Sequence, residues 1–336
     1  MRRTMVRNVA ITAALVATAG ALLPLGTRDL RSRARPVNVY EEAIRRVALM
    51  RAAEQPIVNR FGTTVLMAHG GHAAKITVLL HGLTATPYQM QLLGDALYAR
   101  GNDVFIPRLP LHGERGRTIT ALSALTADTL RSFADDVIDI ARGLADTVDV
   151  LGLSGGGTLA AWIAQHRAEV RRVVIVSPAL ALSRLPRALG DPAMQTMARL
   201  PNLTVGATSD TMKRQVYAGF STHAVAQTMR LGAEVRSEAD RVAPAARAIV
   251  MVTNGNDVTV DAGAALALAG RWMERGAAIT HYNFDSSLGL PHDLVDRDER
   301  CADPGVVYPA LIALLEGRAP AGDVRKRVAP EGCLNR

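Results

Sequence analysis

Lysine is nearly missing from this chain of 336 residues: Lys75, Lys213 and Lys326 are its only lysines, against abundant arginine and alanine. That bias reads as the mark of a GC-rich genome rather than of phosphate recognition. The formal net charge is +8, yet residues 1–35, with seven arginines and one aspartate, account for +6 of it. The rest of the chain is nearly balanced and has no aromatic stacking motif, so no nucleic-acid partner is expected. Cysteine is scarce too. Cys301 and Cys333 are the only two, and neither a Cys-rich ligand set nor an H-E-x-x-H pattern occurs, so no metal site is predicted. No internal repeat or long low-complexity segment argues for an array, and a hydrophobic content of 49% can bury a large core.

One mostly apolar stretch stands apart, over residues 9–25. Arg2, Arg3 and Arg7 precede it, and Arg28, Arg31, Arg33 and Arg35 follow. The pattern predicts an export signal. A stretch of about 17 residues is at the lower limit for spanning a bilayer, so cleavage near Ala17-Thr18-Ala19 and retention as an uncleaved anchor both stay open. The expected location is extracytoplasmic, with the protein secreted or anchored to the membrane by residues 1–35. In that setting Cys301 and Cys333 are expected to pair, whereas a reducing compartment would leave two thiols.

The densest chemical signal is Val148-Asp149-Val150-Leu151-Gly152-Leu153-Ser154-Gly155-Gly156-Gly157, a β-prone run meeting a glycine-flanked serine just where a helix begins. A serine hydroxyl is a poor nucleophile at neutral pH. A tight strand-to-helix turn exposes it to a base and to substrate, and Gly152 and Gly156 let the backbone crowd around it. The glycines do not follow G-x-G-x-x-G, which argues against a dinucleotide fold.

The remaining parts of an acyl-transfer site occur in order. A short apolar strand over 76–80 runs into His81-Gly82-Leu83-Thr84-Ala85-Thr86-Pro87, an oxyanion-loop signature, with Leu83 N–H and Gly155 N–H as the candidate oxyanion donors. A strand over 249–253 ends in Asn254-Gly255-Asn256-Asp257, which offers Asp257 as the acid, with Asp261 as its alternative. A strand over 279–284 precedes Leu288-Gly289-Leu290-Pro291-His292, and His292 is the base.

With these motifs in place the chain resembles the α/β-hydrolase superfamily, and within it the bacterial carboxylesterases and monoacylglycerol-lipase-like enzymes. The order Ser154, Asp257, His292 is that superfamily's, and Pro107-Arg108-Leu109-Pro110-Leu111-His112-Gly113 looks like its proline and His-Gly loop. The likeness runs over roughly residues 62–315. Gly255-Asn256-Asp257 departs from it, one residue shorter than the common Gly-x-x-Asp. The resemblance implies a mainly parallel β-sheet with helices on both faces, in keeping with strands and helices that alternate over 76–177. It divides the chain into a catalytic core over 36–180 and 246–318, a helical cap over 181–245 and a tail over 319–336. No persuasive strand is read in the cap, where Met194, Met197, Met212, Tyr217, Phe220 and Met229 supply adaptable apolar groups.

The expectation is a serine hydrolase acting on carboxylic esters of short to medium acyl chains, small-molecule or lipid-like, with no cofactor. The same machinery would serve a lipase, thioesterase or amidase, and a non-catalytic binding protein of the same fold is the reading from another class. His81 and His112 read as loop-shaping residues, His69 and His72 as part of a solvated hairpin turn. His166, His223 and His281 have no partner visible in the sequence.

Overall fold

A computed structural model of the chain describes residue 25 and residues 30–116, 118–206, 212–213, 216–217, 219–320, 329 and 332–334. The body of the export-signal reading, over residues 1–24, lies outside the described residues, as does Arg325-Lys326-Arg327. Among the described residues, no helix is long and apolar enough to cross a membrane.

A seven-stranded sheet organises the rest. In chain order its strands are β1 (Val65–Met67), β2 (Ala73–Leu80), β3 (Asp103–Ile106), β4 (Ala145–Leu153), β5 (Val170–Val176), β10 (Ala248–Asn254) and β11 (Ile279–Phe284). The spatial order is β1-β3-β2-β4-β5-β10-β11. All neighbours are parallel except β1, which runs antiparallel to β3. Strands β6 to β9 are short and pair outside this sheet. Central strands buried on both faces need apolar residues in succession rather than alternation. Each strand therefore feeds two cores. Val78, Val150, Ile175 and Met251 point to one side, and their neighbours Leu79, Leu151, Val174 and Val250 point to the other.

Five helices cover the first side: α1 (Tyr40–Glu54), α3 (Ala127–Leu144), α4 (Gly155–His166), α6 (Thr222–Ala239) and α7 (Ala262–Glu274). Two cover the second, α2 (Tyr88–Tyr98) and α8 (Pro304–Leu315). Their starts are written in the sequence. Thr126 accepts from Thr129 N at 3.0 Å ahead of α3, and Ser221 accepts from Ala224 N at 3.3 Å ahead of α6. Asp303 accepts from Val306 N at 3.1 Å, with Pro304 in the first turn of α8. Each side chain satisfies an amide that the helix itself cannot.

Two sequence expectations change here. The His69-Gly70-Gly71-His72 turn is no hairpin, because β3 lies between β1 and β2 in the sheet. Asp103, at the start of β3, accepts from both the His69 amide at 3.0 Å and its ring Nδ1 at 2.9 Å, and the ring stacks on Tyr98. That anchorage carries the turn past β3. Between β5 and β10, beside α5 (Gly190–Arg199) and α6, the chain forms short strands the sequence did not announce. β6 (Thr204–Gly206) pairs with β9 (Gly219–Ser221), and β7 (Met212–Lys213) pairs with β8 (Val216–Tyr217). Runs of two or three residues are too short to leave a period-2 pattern.

Residues 30–37 form a strap along α3 and α4. The Leu30 carbonyl accepts from Trp162 Nε1 at 2.8 Å, and Arg33 N and Arg35 N donate to Asp135 and Asp139 at 2.8 and 2.7 Å. The same carboxylates hold Arg167, whose side chain is 1% exposed. Removing one member of such a buried ion cluster costs about 3–5 kcal/mol, because its partners are left desolvated and unpaired. Cys301 and Cys333 are bonded, with Cα atoms 5.8 Å apart across a separation of 32 residues. The Cys333 carbonyl accepts from Asn256 Nδ2 at 3.0 Å, so the bridge fixes the tail beside the loop that carries Asp257.

The tightest backbone packing is at the junction of β4 and α4. A Cβ on Gly156 would sit 2.2 Å from the Leu80 carbonyl oxygen, and one on Gly152 would sit 2.1 Å from that of Gly156. Gly270 in α7 has open space around its missing Cβ. Gly156→Ala is therefore expected to lower the melting temperature sharply or prevent soluble expression, whereas Gly270→Ala should raise stability by up to about 1 kcal/mol through helix propensity. Thermal unfolding of the two variants checks the contrast, and equal effects would contradict it.

Candidate active site

Ser154 ends β4 and precedes α4 with φ 56° and ψ −115°, a left-handed backbone that a side-chain-bearing residue adopts only when its surroundings enforce it. Gly152, Gly156 and Gly157 enforce it, with the last packed so that a Cβ would meet the Val176 carbonyl oxygen at 2.8 Å. Ser154 N donates to that same oxygen at 3.0 Å. The hydroxyl is thereby lifted above the carboxyl ends of the central strands.

His292 comes from the loop after β11, and Asp257 from the loop after β10. His292 Nε2 lies 2.8 Å from Ser154 Oγ, and Nδ1 lies 2.7 Å from Asp257 Oδ2. With the carboxylate on Nδ1, that nitrogen is the donor, which leaves Nε2 to accept the serine proton. Asp257 Oδ1 accepts from Thr259 N at 2.8 Å and Val260 N at 3.2 Å. Asp261, the alternative acid, faces elsewhere: it pairs with Arg187 and accepts from Gly263 N at the start of α7.

Burial opposes the charge on Asp257, but the His292 hydrogen bond, the imidazole's charge and the two backbone amides outweigh it and hold the carboxyl below its ordinary value. Burial likewise opposes a charged His292. The Asp257 hydrogen bond, with the charges of Asp293 and Asp257, reverses that and raises the imidazole above its ordinary value. Each group makes the other's charged form easier to hold.

The loop after β2 lies against Gly155. A Cβ there would stand 3.0 Å from the Leu83 nitrogen, so only glycine lets the two predicted donors approach one point. As the first residue of α4, Gly155 has an amide with no acceptor within its own helix. His81 is fully buried and spans this loop. Its Nδ1 donates to the Gly82 carbonyl at 2.9 Å and its Nε2 accepts from Leu109 N at 3.1 Å. Burial and the neighbouring His112 keep His81 well below the ordinary histidine value, and so neutral. The Gly82 carbonyl and the Leu83 amide belong to one peptide plane, which His81 thus orients. His112, also pushed down by burial, sits between the Pro110 and Leu83 carbonyls.

Several participants were missed from the sequence. Gln89 accepts from Gly82 N at 2.8 Å and donates to Asp293 at 3.2 Å, joining the loop after β2 to the residue beside His292. Asn254 Nδ2 reaches the Leu290 and Pro291 carbonyls at 3.1 and 2.9 Å, and Asn256 Nδ2 reaches the Leu290 carbonyl at 3.0 Å. These two asparagines clamp the loop of Asp257 to the loop of His292. The Asn254-Gly255-Asn256 run was the available signal, as short polar side chains that favour local turns. The three histidines without an assigned partner find Glu234, the Leu200 carbonyl and Thr253, all away from Ser154.

Two cavities meet at Ser154. One of about 450 Å³ is mostly apolar, lined by Leu182, Met197, Val205, Phe220, Met229 and Val258 among others. The other, of about 280 Å³, is more polar and bears Thr84, Asp293 and Glu299 beside His292. Met194 packs under the apolar cavity, against Ala226 and Met229, rather than lining it. A larger groove of about 680 Å³, between α1 and the loop ahead of β1, contains none of the predicted site residues.

A mainly parallel sheet with helices on both faces, holding serine, aspartate and histidine in that chain order at its carboxyl edge, defines the α/β-hydrolase fold. Residues 77–303 match the Alpha/beta hydrolase family, and the chain belongs to it. It is similar to a thermostable monoacylglycerol lipase of a Bacillus species, with 27% identity over 175 residues that span 49% of this chain and 64% of that enzyme. Among solved structures it shares its fold with metagenome-derived lipolytic enzymes, at a TM-score of 0.58 and 18% identity, covering 78% of this chain and 100% of theirs. A monoacylglycerol lipase of Paleococcus ferrophilus superposes at 0.52 with 16% identity, over 76% of this chain and 98% of that one.

In a nitrogen NMR titration His292 should protonate above the ordinary histidine value, and Asp257→Asn, by removing its first stabilising partner, should lower the midpoint. A midpoint unmoved by that change would show that Asp257 does not hold the imidazole.

Proposed function

We propose that this chain hydrolyses carboxylic esters of short to medium acyl chains through a Ser-His-Asp triad and an acyl-enzyme. The observation that carries the reading is the unbroken pair of hydrogen bonds from Asp257 through His292 to Ser154, opening on an apolar cavity. Ser154 Oγ attacks the ester carbonyl as its proton passes to His292 Nε2. The Leu83 and Gly155 amides receive the negative oxygen, and donors placed where charge develops contribute about 3–4 kcal/mol each to such steps. The tetrahedral species collapses, the alcohol leaves with the proton held by His292, and the acyl group stays on Ser154. Water, deprotonated by His292, then attacks the acyl-enzyme and releases the acid.

The two cavities suit the two halves of an ester. The acyl chain enters the apolar one. A small polyhydric alcohol enters the polar one, where Asp293 and Glu299 accept its hydroxyl hydrogens. Burial, with the charges of Asp293 and Asp296, raises Glu299 above the ordinary carboxyl value. A lipid-like ester with one chain and a polar headgroup fits this division, and likeness to a monoacylglycerol lipase supports the same class.

Replacing Ser154 or His292 by alanine should lower kcat roughly 10⁴-fold or more with the fold intact, and Asp257→Asn should do nearly as much. Asp261→Asn should leave kcat within a few-fold. Loss of activity on changing Asp261 but not Asp257 would overturn the acid assignment.

Chain length provides a second test. Each methylene buried in the apolar cavity stabilises binding by about 0.8 kcal/mol, close to fourfold, until the far wall is met. Across p-nitrophenyl esters from acetate to palmitate kcat/KM should rise and then fall, and Met197→Ala should shift the maximum to longer chains. A flat profile would sink the assignment of this cavity to the acyl group.

A further inference from the structure

Two residues that line the apolar cavity, Val205 and Phe220, are also exposed to solvent. Val205 on β6 and Phe220 on β9 are directly opposed in the short ribbon, and side chains of an opposed pair share one face. Leu203 immediately precedes β6, and its carbonyl accepts from Thr222 N just after β9. Leu203, Val205 and Phe220 are 64%, 55% and 41% exposed, and Leu200 beside them is 54% exposed. Val258, which lines the same cavity, is 45% exposed. Exposed apolar side chains gathered at a pocket mouth call for an occupant.

The start of the described chain indicates which one. Leu25 N donates at 3.0 Å to Gln195 Oε1, on the same helix α5 that runs out into Leu200 and Leu203. Ahead of Leu25 the sequence is mostly apolar back to Val9, with Arg2, Arg3 and Arg7 before it. An apolar stretch with a basic start favours a lipid surface, and it joins the domain beside the exposed rim rather than at the opposite end. Further along the chain, the strap over residues 30–37 is held by Trp162, Asp135 and Asp139. We infer that Leu200, Leu203, Val205 and Phe220 form a bilayer-docking face, which seats the mouth of the apolar cavity on the membrane. The occupant is the lipid surface itself, so an ester could pass from bilayer to cavity without crossing water. This holds whether or not the ester chemistry proposed above is correct, because it rests on the rim and on the point where residue 25 meets α5.

The test places an environment-sensitive fluorophore on single introduced cysteines in the full chain, whose own two cysteines are bonded to each other. Leu203→Cys and Leu200→Cys report the rim. Val39→Cys reports the far end of the domain, next to Val37, whose amide bonds to the Asp139 carbonyl near the carboxyl end of α3. Vesicles of phosphatidylcholine and phosphatidylglycerol, with brominated chains as quencher, are the probe. Both rim labels should shift to the blue and be quenched several-fold more than the label at position 39. No response at either rim position, or equal responses at all three, overturns the inference. A blue shift without vesicles that grows with protein concentration also overturns it, because a second copy would then be the occupant. Since no turnover is measured, a failed result here leaves the hydrolase reading separately testable.

Discussion

The close contact of backbone on backbone at the β4–α4 junction is the constraint from which the rest follows. Gly156 lies against the carbonyls of Leu80 and His81, and Gly152 against that of Gly156. No side chain fits there, so glycine is what lets the start of α4 lie against the ends of β2 and β4. That approach forces Ser154 into its left-handed backbone and sets the Gly155 amide beside Leu83. The hydroxyl, the two candidate oxyanion donors and the start of a helix are thus fixed by one packing event. The cost of the strained serine, on the order of 1–3 kcal/mol, is carried by the surrounding core.

Around this junction the loops are tied to one another rather than merely to the sheet. Gln89 joins Gly82 to Asp293, and Asn254 and Asn256 join the loop of Asp257 to the loop of His292. Two more distant parts reach the same network. Tyr217 N, on β8, donates to the Thr84 carbonyl in the loop after β2. The Cys333 carbonyl, held by the disulfide, accepts from Asn256. Both the segment over the apolar cavity and the carboxyl tail therefore bear on residues within one or two positions of the candidate site.

Much of this was legible before any coordinates, because its cause is local. The glycines around Ser154, the His81-Gly82 pair after an apolar strand, and His292 after the last strand each carry a backbone requirement that the sequence states directly. The two-sided sheet followed from the alternation of strands and helices over residues 76–177 and from the family resemblance. Other features were hidden because they depend on distant partners. Asn254 and Asn256 looked like turn residues until the Leu290 carbonyl was placed beside them. The sheet position of β1 depends on Asp103, thirty-four residues from the His69 it anchors. The strap over residues 30–37 depends on carboxylates of α3 about a hundred positions away. The short strands β6 to β9 carry no pattern long enough to read.

The central claim is that Ser154 is a nucleophile made reactive by His292. It is tested most directly by treating the full chain with a fluorophosphonate and locating the adduct by peptide mass spectrometry. One adduct per chain on Ser154 is predicted, formed orders of magnitude more slowly when His292 is replaced by alanine. An adduct on another residue, or labelling of Ser154 at the same rate without His292, would contradict the account.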